Sequence, residues 1–217
     1  MKLQEIKLST NDINATASFY KEVLQLEPIF NEDYSISIEV GRSILTFVQN
    51  DDIETPVYHF AFNIPQNQLE QAIEWTKGRV ALLNLPENKV IADFENWNAK
   101  AIYFLDNNGN ILEFIARYDL WNKSDQVFST QAIECISEIG VATDQVIELT
   151  DQLIAAYGLP VFAKQPRDEK FTALGDDQGL LILAEFGRNW FPTQIPADSF
   201  PMEIVIDDKY GKKVLSL

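Results

Sequence analysis

Internal repetition constrains the fold of this chain most strongly, because one order of strand and helix patterns returns along the sequence. Residues 5–9 and 59–63 both alternate in polarity as half-buried strands do. Each is followed by a polar turn and a segment with helical spacing of apolar residues, and Asn11 and Asp12 are candidate caps for the first helix. The closing strands align as well, 43–48 over 110–115. Each unit is therefore predicted as a strand, a helix and about three strands within roughly 50–60 residues.

A third copy begins near residue 137 and predicts the rest of the fold. Its opening strand is expected at 138–143, and its helix is expected to be capped by Asp144 and to end at Gly158. Further strands are predicted at 159–163, 170–174 and 179–184, and a last strand at 202–206 resembles the opening of an incomplete fourth unit. The fold class is α+β, built from repeated βαβββ modules. We expect paired modules over 1–118, a linker over 119–130, and the third module with the start of the fourth over 131–217.

The charge and composition exclude several classes of function. The chain has 17 Lys and Arg against 33 Asp and Glu, a formal net charge of −16. Such a field repels phosphate backbones and anionic lipids, so neither nucleic acid nor a membrane is an expected partner. A single cysteine excludes an internal disulfide framework and a thiolate metal cluster. The first residues lack a signal-peptide pattern, so a cytoplasmic location is expected.

Two stretches carry a resemblance to a known family. Glu5-Ile-Lys-Leu-Ser-Thr-Asn-Asp, with Phe19-Tyr20 and Val23-Leu-Gln-Leu26 after it, resembles the opening of vicinal oxygen chelate proteins, the glyoxalase, bleomycin-resistance and ring-cleaving dioxygenase superfamily. Tyr103-Phe-Leu-Asp-Asn-Asn-Gly-Asn-Ile-Leu-Glu113 resembles their closing β-turn-β. The resemblance implies mixed sheets that curl into half-open barrels, with helices on the outer face and a divalent metal on the concave face.

In this superfamily the metal ligands come from the first strands and the last strand of paired modules. The matching positions here are Glu5, His59 and Glu113. Strand alternation agrees, because each of the three opposes the apolar side chains that should pack on a helix. Two carboxylates and an imidazole suit Mn²⁺, Fe²⁺, Ni²⁺ or Zn²⁺ and leave positions for a bidentate substrate. The implied cofactor is such an ion.

The resemblance implies a small-molecule enzyme, with Glu113 and Tyr103 as catalytic candidates inside the cavity. Lyase or isomerase chemistry is slightly favoured over dioxygenase chemistry or thiol transfer, because Glu5 stands where the resistance enzymes and dioxygenases usually have His. The alternatives are a metal-free binding protein of the bleomycin-resistance kind and a degenerate member without catalysis. In the third module Glu138 and Glu203 occupy the positions of Glu5 and His59, but Ile182 replaces Glu113. No second metal site is therefore expected, and the module's roles as a cover, a homodimer surface or an apolar binding face stay open.

Two further segments are candidates for the rim of a binding site. Residues 94–98 precede the strand of Tyr103 and are expected at the mouth of the cavity. The loop 188–200 is rich in proline and aromatic residues, which is typical of a lid or of a partner contact.

Overall fold

The computed structural model describes residues 1–208 and 211–217. The first module has the predicted βαβββ order. Its helix continues into one π-helical turn at Phe19–Val23 and is capped by Asp12, whose carboxylate accepts a hydrogen bond from Ala15 N. The cap predicted from the sequence is thus confirmed. The elements are β1 (Lys2–Thr10), α1 (Ile13–Ser18), β2 (Pro28–Phe30), β3 (Ser35–Val40) and β4 (Ser43–Gln49).

The second module repeats this order. Residues 59, 61 and 63 of its opening strand face one side, and Phe60, Phe62 and Ile64 face the other, where they join the main hydrophobic core. The module consists of β5 (His59–Ile64), α2 (Leu69–Thr76), β6 (Ala92–Phe94), β7 (Ala99–Leu105) and β8 (Ile111–Arg117).

The third module is shorter than predicted. The strand expected at 159–163 is reduced to one bridge between Val161 and Leu174. The N-cap of its helix is Gln145, so the prediction of Asp144 as the cap was wrong, although Gly158 ends the helix with a positive φ of 66° as expected. The elements are β9 (Cys135–Thr143), α3 (Val146–Tyr157), β10 (Phe171–Asp176) and β11 (Gly179–Glu185), followed by the hairpin β12 (Met202–Asp208) and β13 (Gly211–Ser216).

The strands form two curled mixed sheets. Sheet A has the order β13-β12-β1-β4-β3-β2, and sheet B has the order β10-β11-β9-β5-β8-β7-β6. The first and second modules therefore lie in different sheets. The second module pairs with the third through β5 and β9, and the first pairs with the C-terminal hairpin through β1 and β12. This pairing decides which side chains can meet.

One hydrophobic core joins the helix-bearing faces of both sheets. It contains Leu3, Ile6 and Leu8 of sheet A together with Phe60 and Phe62 of sheet B, all at most 2% exposed. Burial of each such side chain contributes roughly 1.5–3 kcal/mol relative to exposure. The opposite, concave face of sheet B carries a second, separate apolar cluster. It is there that the polar side chains of the site are found.

In the part of the chain that the structure describes, no helix combines the length and the apolar character needed to cross a bilayer.

Candidate metal centre

Three potential metal ligands converge over one alanine on the concave face of sheet B. Ala61 pairs with Glu113 of β8 on one side and with Glu138 of β9 on the other. Directly opposed residues on adjacent strands project to the same face, so the two glutamates flank the small Ala61 side chain. His59 lies two residues earlier on the same strand and face. One ligand atom from each of His59, Glu113 and Glu138 lies within 4.8 Å of the others.

An irregularity in β9 places Glu138 on this face. Ala61 pairs with Glu138 but Phe62 pairs with Ile136, so Ser137 is the extra residue of a bulge. The bulge lets Ile136 and Ile139, three residues apart, both enter the helix-side core. Glu138 between them is thereby directed to the concave face, where its side chain is 5% exposed.

His59 is buried and has a defined tautomer. Its Nδ1 lies 3.1 Å from the carbonyl oxygen of Ile111, which can only accept, so Nδ1 carries the proton. Nε2 is left with its lone pair, 3.7 Å from Glu113 Oε2. Burial lowers the pKa of His59 from 6.5 to about 4, with the hydrogen bond to Ile111 acting in the opposite direction. The imidazole is therefore neutral at physiological pH, the form that binds a metal.

The two carboxylates are held in an environment that resists their charge. Burial raises the pKa of Glu113 well above its usual range, and the nearby Glu138 raises it further, while Arg117 and a hydrogen bond with Tyr103 lower it. Burial also raises the pKa of Glu138, partly offset by its ion pair with Arg117. One adjacent guanidinium can balance only one of the two carboxylates, so a cation bound between them would favour the ionised form of both.

The cluster lies in a cavity of about 830 Å³. Tyr103 forms one wall, and Trp190 packs against His59 with ring centroids 5.2 Å apart. Gly140 makes room for this indole, because a Cβ at that position would lie 2.6 Å from the ring. Further side chains of the wall and mouth are aromatic, apolar or charged, among them Phe94, Trp97, Phe171, Ile182, Arg188 and Phe191.

The loop 186–200 covers part of this cavity. It folds back on itself through a hydrogen bond from Trp190 N to Ile195 O (2.9 Å) and another from Ala197 N to Arg188 O (2.7 Å). Trp190 is buried, whereas Phe191 is half exposed and contacts Tyr103 with ring centroids 5.6 Å apart. The loop that the sequence marked as a lid or partner contact thus lines the cavity, together with residues 94–97.

The structure brings His59, Glu113 and Tyr103 together but does not bring Glu5 to them. Glu5 lies on β1 in sheet A and accepts a hydrogen bond from Thr46 (2.7 Å). The physical reason is the pairing of the modules, which puts β9 rather than β1 beside β5. Glu138 stands where Glu5 was expected. The signal for it was present, since Glu138 occupies the position of Glu5 in the third copy of the repeat.

The side chains present fit a divalent cation. A neutral imidazole with a free Nε2 and two carboxylates form a mixed nitrogen and oxygen donor set, which suits first-row transition metals. The Nδ1–H bond to the Ile111 carbonyl is the outer contact that orients a metal-ligating histidine. Ile182 occupies the corresponding position on the last strand of the third module and offers no ligand, so positions remain for a substrate.

Comparisons with known proteins find similar sequences and structures. No family model matches the chain. The metallothiol transferase FosB of Staphylococcus epidermidis is 24% identical over 116 residues, which are 51% of this chain and 78% of FosB. A glyoxalase/bleomycin resistance protein/dioxygenase from Nocardioides is 20% identical over 59% of this chain and 90% of its own, with a TM-score of 0.44.

The more extensive structural match is a dioxygenase candidate from Bacillus subtilis. It covers 91% of this chain with a TM-score of 0.61 and 16% identity. This chain spans 65% of the length of that protein. The match extends over both sheets, and it agrees with the repeated modules and curled sheets described above. The chain therefore has the fold of the vicinal oxygen chelate superfamily, the glyoxalase, bleomycin-resistance and dioxygenase proteins that its sequence resembles.

Proposed function

We propose that this chain is a divalent-metal-dependent enzyme that acts on a small molecule with two neighbouring oxygen atoms. The single observation that carries the proposal is the convergence of His59, Glu113 and Glu138 over Ala61 inside the cavity of sheet B. His59 Nε2 and one oxygen from each glutamate would hold the ion. The name of FosB, a metallothiol transferase, supports metal dependence in a related sequence.

A bound divalent ion supplies Lewis-acid stabilisation of charge that develops on a substrate oxygen. Glu113 lines the cavity, and the oxygen that it does not use to hold the ion would accept a proton from the substrate. Burial raises the pKa of Tyr103 well above 10, so its hydroxyl keeps its proton and donates a hydrogen bond to Glu113 or to a substrate oxygen. Trp190 covers this region and excludes water.

The donor set favours proton-transfer chemistry, namely a lyase or isomerase reaction. Non-haem iron oxygenases use two histidines and one carboxylate, whereas this cluster has one histidine and two carboxylates. Paired carboxylates beside a protonated tyrosine are suited to moving a proton on a substrate. Thiol transfer is the next reaction class, supported by the likeness to FosB.

A metal-free small-molecule binding protein of the bleomycin-resistance kind is the second candidate. The observation that favours it is the guanidinium of Arg117, which pairs with Glu138 and can balance the charge of that carboxylate. The cavity suits a ligand by itself, because its aromatic walls offer apolar contact and its polar side chains offer hydrogen bonds. The indole Nε1–H of Trp190 is buried with no acceptor among the described residues, so a ligand oxygen can accept from it.

Metal content separates the two candidates. Protein purified without a His-tag, before and after incubation with Mn²⁺, Fe²⁺, Ni²⁺ or Zn²⁺, is analysed for its elements beside His59→Ala and Glu5→Gln. We expect close to one ion per chain in the wild type and in Glu5→Gln, and loss of the ion in His59→Ala. Glu5→Gln is the matched control, because it removes a carboxylate on β1 of sheet A, outside the cluster.

No bound ion in the wild type under any of these conditions would contradict the enzyme proposal and leave the metal-free binding protein. Loss of the ion in Glu5→Gln would instead support the ligand set expected from the sequence, which includes Glu5.

A further inference from the structure

Arg117 is a fully buried arginine beside the candidate metal centre, and neither the fold nor the proposed reaction requires one. Its side chain is 0% exposed. It lies on β8 four residues after Glu113, so the two side chains share the concave face of the strand. A buried cation of this size is stable only when its donors are paired. Its hydrogen-bond partners therefore show what holds the guanidinium in place.

The guanidinium is fixed from three directions. Nε donates to Asn63 Oδ1 (3.2 Å), Nη1 faces Asp177 Oδ1 (3.4 Å), and Nη2 donates to Glu138 Oε1. Asn63 stands on β5 four residues after His59, on the same face. The carboxylate of Asp177 is in turn bound by Lys164 Nζ at 2.9 and 2.7 Å. The planar fork of Arg117 therefore has little freedom to rotate or shift.

The contact with Glu138 uses only one of the two oxygens of that carboxylate. Oε1 is the acceptor for Nη2, which leaves Oε2 for any other partner. A free glutamate can bind a cation through one oxygen or through both, and bidentate binding fills an additional coordination position. A glutamate whose Oε1 is held by a rigid guanidinium is restricted to one.

We propose that Arg117 is a positioning residue that fixes Glu138 as a one-oxygen metal ligand and so keeps a coordination position open for substrate. This inference rests on the proposed function, since it concerns the same ion. Arg117 contacts neither substrate nor ion in this account. It acts through Glu138, as outer partners of metal ligands do.

The test uses Mn²⁺ titration for affinity and the visible absorption of bound Co²⁺, which reports the number and arrangement of its ligands. In Arg117→Met we expect the affinity for Mn²⁺ to fall about 10–100-fold. This loss is expected because Glu138 no longer has the contact that orients it, and the Co²⁺ absorption should change because Glu138 can then turn and present either or both of its oxygens to the ion. Arg117→Lys retains a charge but not the planar fork, so its affinity should fall between those of the wild type and Arg117→Met. Arg117→Lys also provides the test if Arg117→Met does not fold.

A matched control separates positioning from loss of stability. Tyr20→Phe removes a buried hydrogen bond to Asp106 Oδ2 (3.0 Å), which lies outside the cluster. It should lower the urea midpoint and leave the Mn²⁺ affinity and the Co²⁺ spectrum unchanged. A wild-type affinity and spectrum in both Arg117 variants would overturn the positioning role and leave the enzyme proposal intact. A wild-type protein that binds neither ion would contradict the enzyme proposal itself.

Discussion

The two sheets are built by the same kind of pairing, yet among the described residues the cluster of potential metal ligands lies in sheet B. In sheet B the central position is Ala61, flanked by Glu113 and Glu138. In sheet A the corresponding central position is Lys7, flanked by Thr46 and Glu203. Sheet B thus places a methyl group between two carboxylates. Sheet A places a long cationic side chain between a hydroxyl and a single carboxylate.

The difference shows that the fold alone does not make a metal site. Both sheets provide two first strands and a last strand in the same relative register. Sheet A carries Glu5 at the position of His59, and Thr46 already satisfies that carboxylate with a hydrogen bond. Sheet B leaves room above Ala61 and negative charge around it. A small central residue and two flanking carboxylates distinguish sheet B from sheet A, and each can be altered separately.

The largest expected effect comes from transferring the central lysine of sheet A into sheet B. Ala61→Lys should lower the Mn²⁺ affinity by more than about 100-fold. This loss is larger than the one expected from removing an outer partner of a metal ligand. The new ammonium group would occupy the space between Glu113 and Glu138 and pair with both. Titration with Mn²⁺ measures the loss. Lys7→Ala in sheet A is the control and should bind the ion as the wild type does.

The next effect concerns His59, whose position in sheet A is taken by Glu5. Because the folded state holds the pKa of His59 at about 4 against an ordinary 6.5, only the unfolded chain takes up this proton between these values. The lowered pKa of His59 therefore adds to the free energy of unfolding above pH 6.5, and this contribution is lost as the pH falls to 4. It amounts to roughly 3 kcal/mol over this range. Urea unfolding of the ion-free protein from pH 7 to 4.5, beside His59→Asn, isolates it. If the free energy of unfolding changed with pH in the same way in the wild type and in His59→Asn, the expected contribution of His59 would be contradicted.

The flanking carboxylates give a smaller effect that compares the sheets directly. Glu138→Gln should weaken Mn²⁺ binding about 100-fold, roughly 2.7 kcal/mol, because a neutral amide replaces a ligand charge. Glu203→Gln changes the equivalent position of sheet A and should leave affinity unchanged. Calorimetric titration of both variants checks the pair. Equal losses would mean that the two sheets do not differ in the way described.

The smallest effect is expected at the cover of the site. Gly140 in sheet B lies under the Trp190 ring, whereas the equivalent position in sheet A is Val205, which is partly exposed. Gly140→Ala should destabilise the protein by about 1–3 kcal/mol, because the added methyl group forces the indole to move. Urea unfolding measures the cost, and Trp fluorescence reports the displacement. Val205→Ala should leave the fluorescence unchanged.

Local patterns predicted much of the fold and part of the site. Period-two alternation identified β5 and β8, and it put His59 and Glu113 on the face away from the helices. It also placed Tyr103 in the cavity. These predictions depend only on which side of one strand a residue faces, and the residue order determines that directly.

The place of Glu138 in the cluster depended on information that local patterns do not contain. Whether β5 pairs with β1 or with β9 is decided by long-range packing, and both strands have suitable alternation. Glu138 was therefore assigned to an inactive copy, and Glu5 was assigned to the site. Arg117 was missed as well, although a charged residue at the end of the apolar strand 111–117, four positions after Glu113, was a visible signal.

Crystals of the untagged protein soaked in Mn²⁺, with data collected for anomalous scattering, test the central claim most directly. The account predicts one strong anomalous peak in contact with His59, Glu113 and Glu138, and no peak beside Glu5 and Glu203. A peak in sheet A, or no peak in sheet B at saturating Mn²⁺, would contradict it.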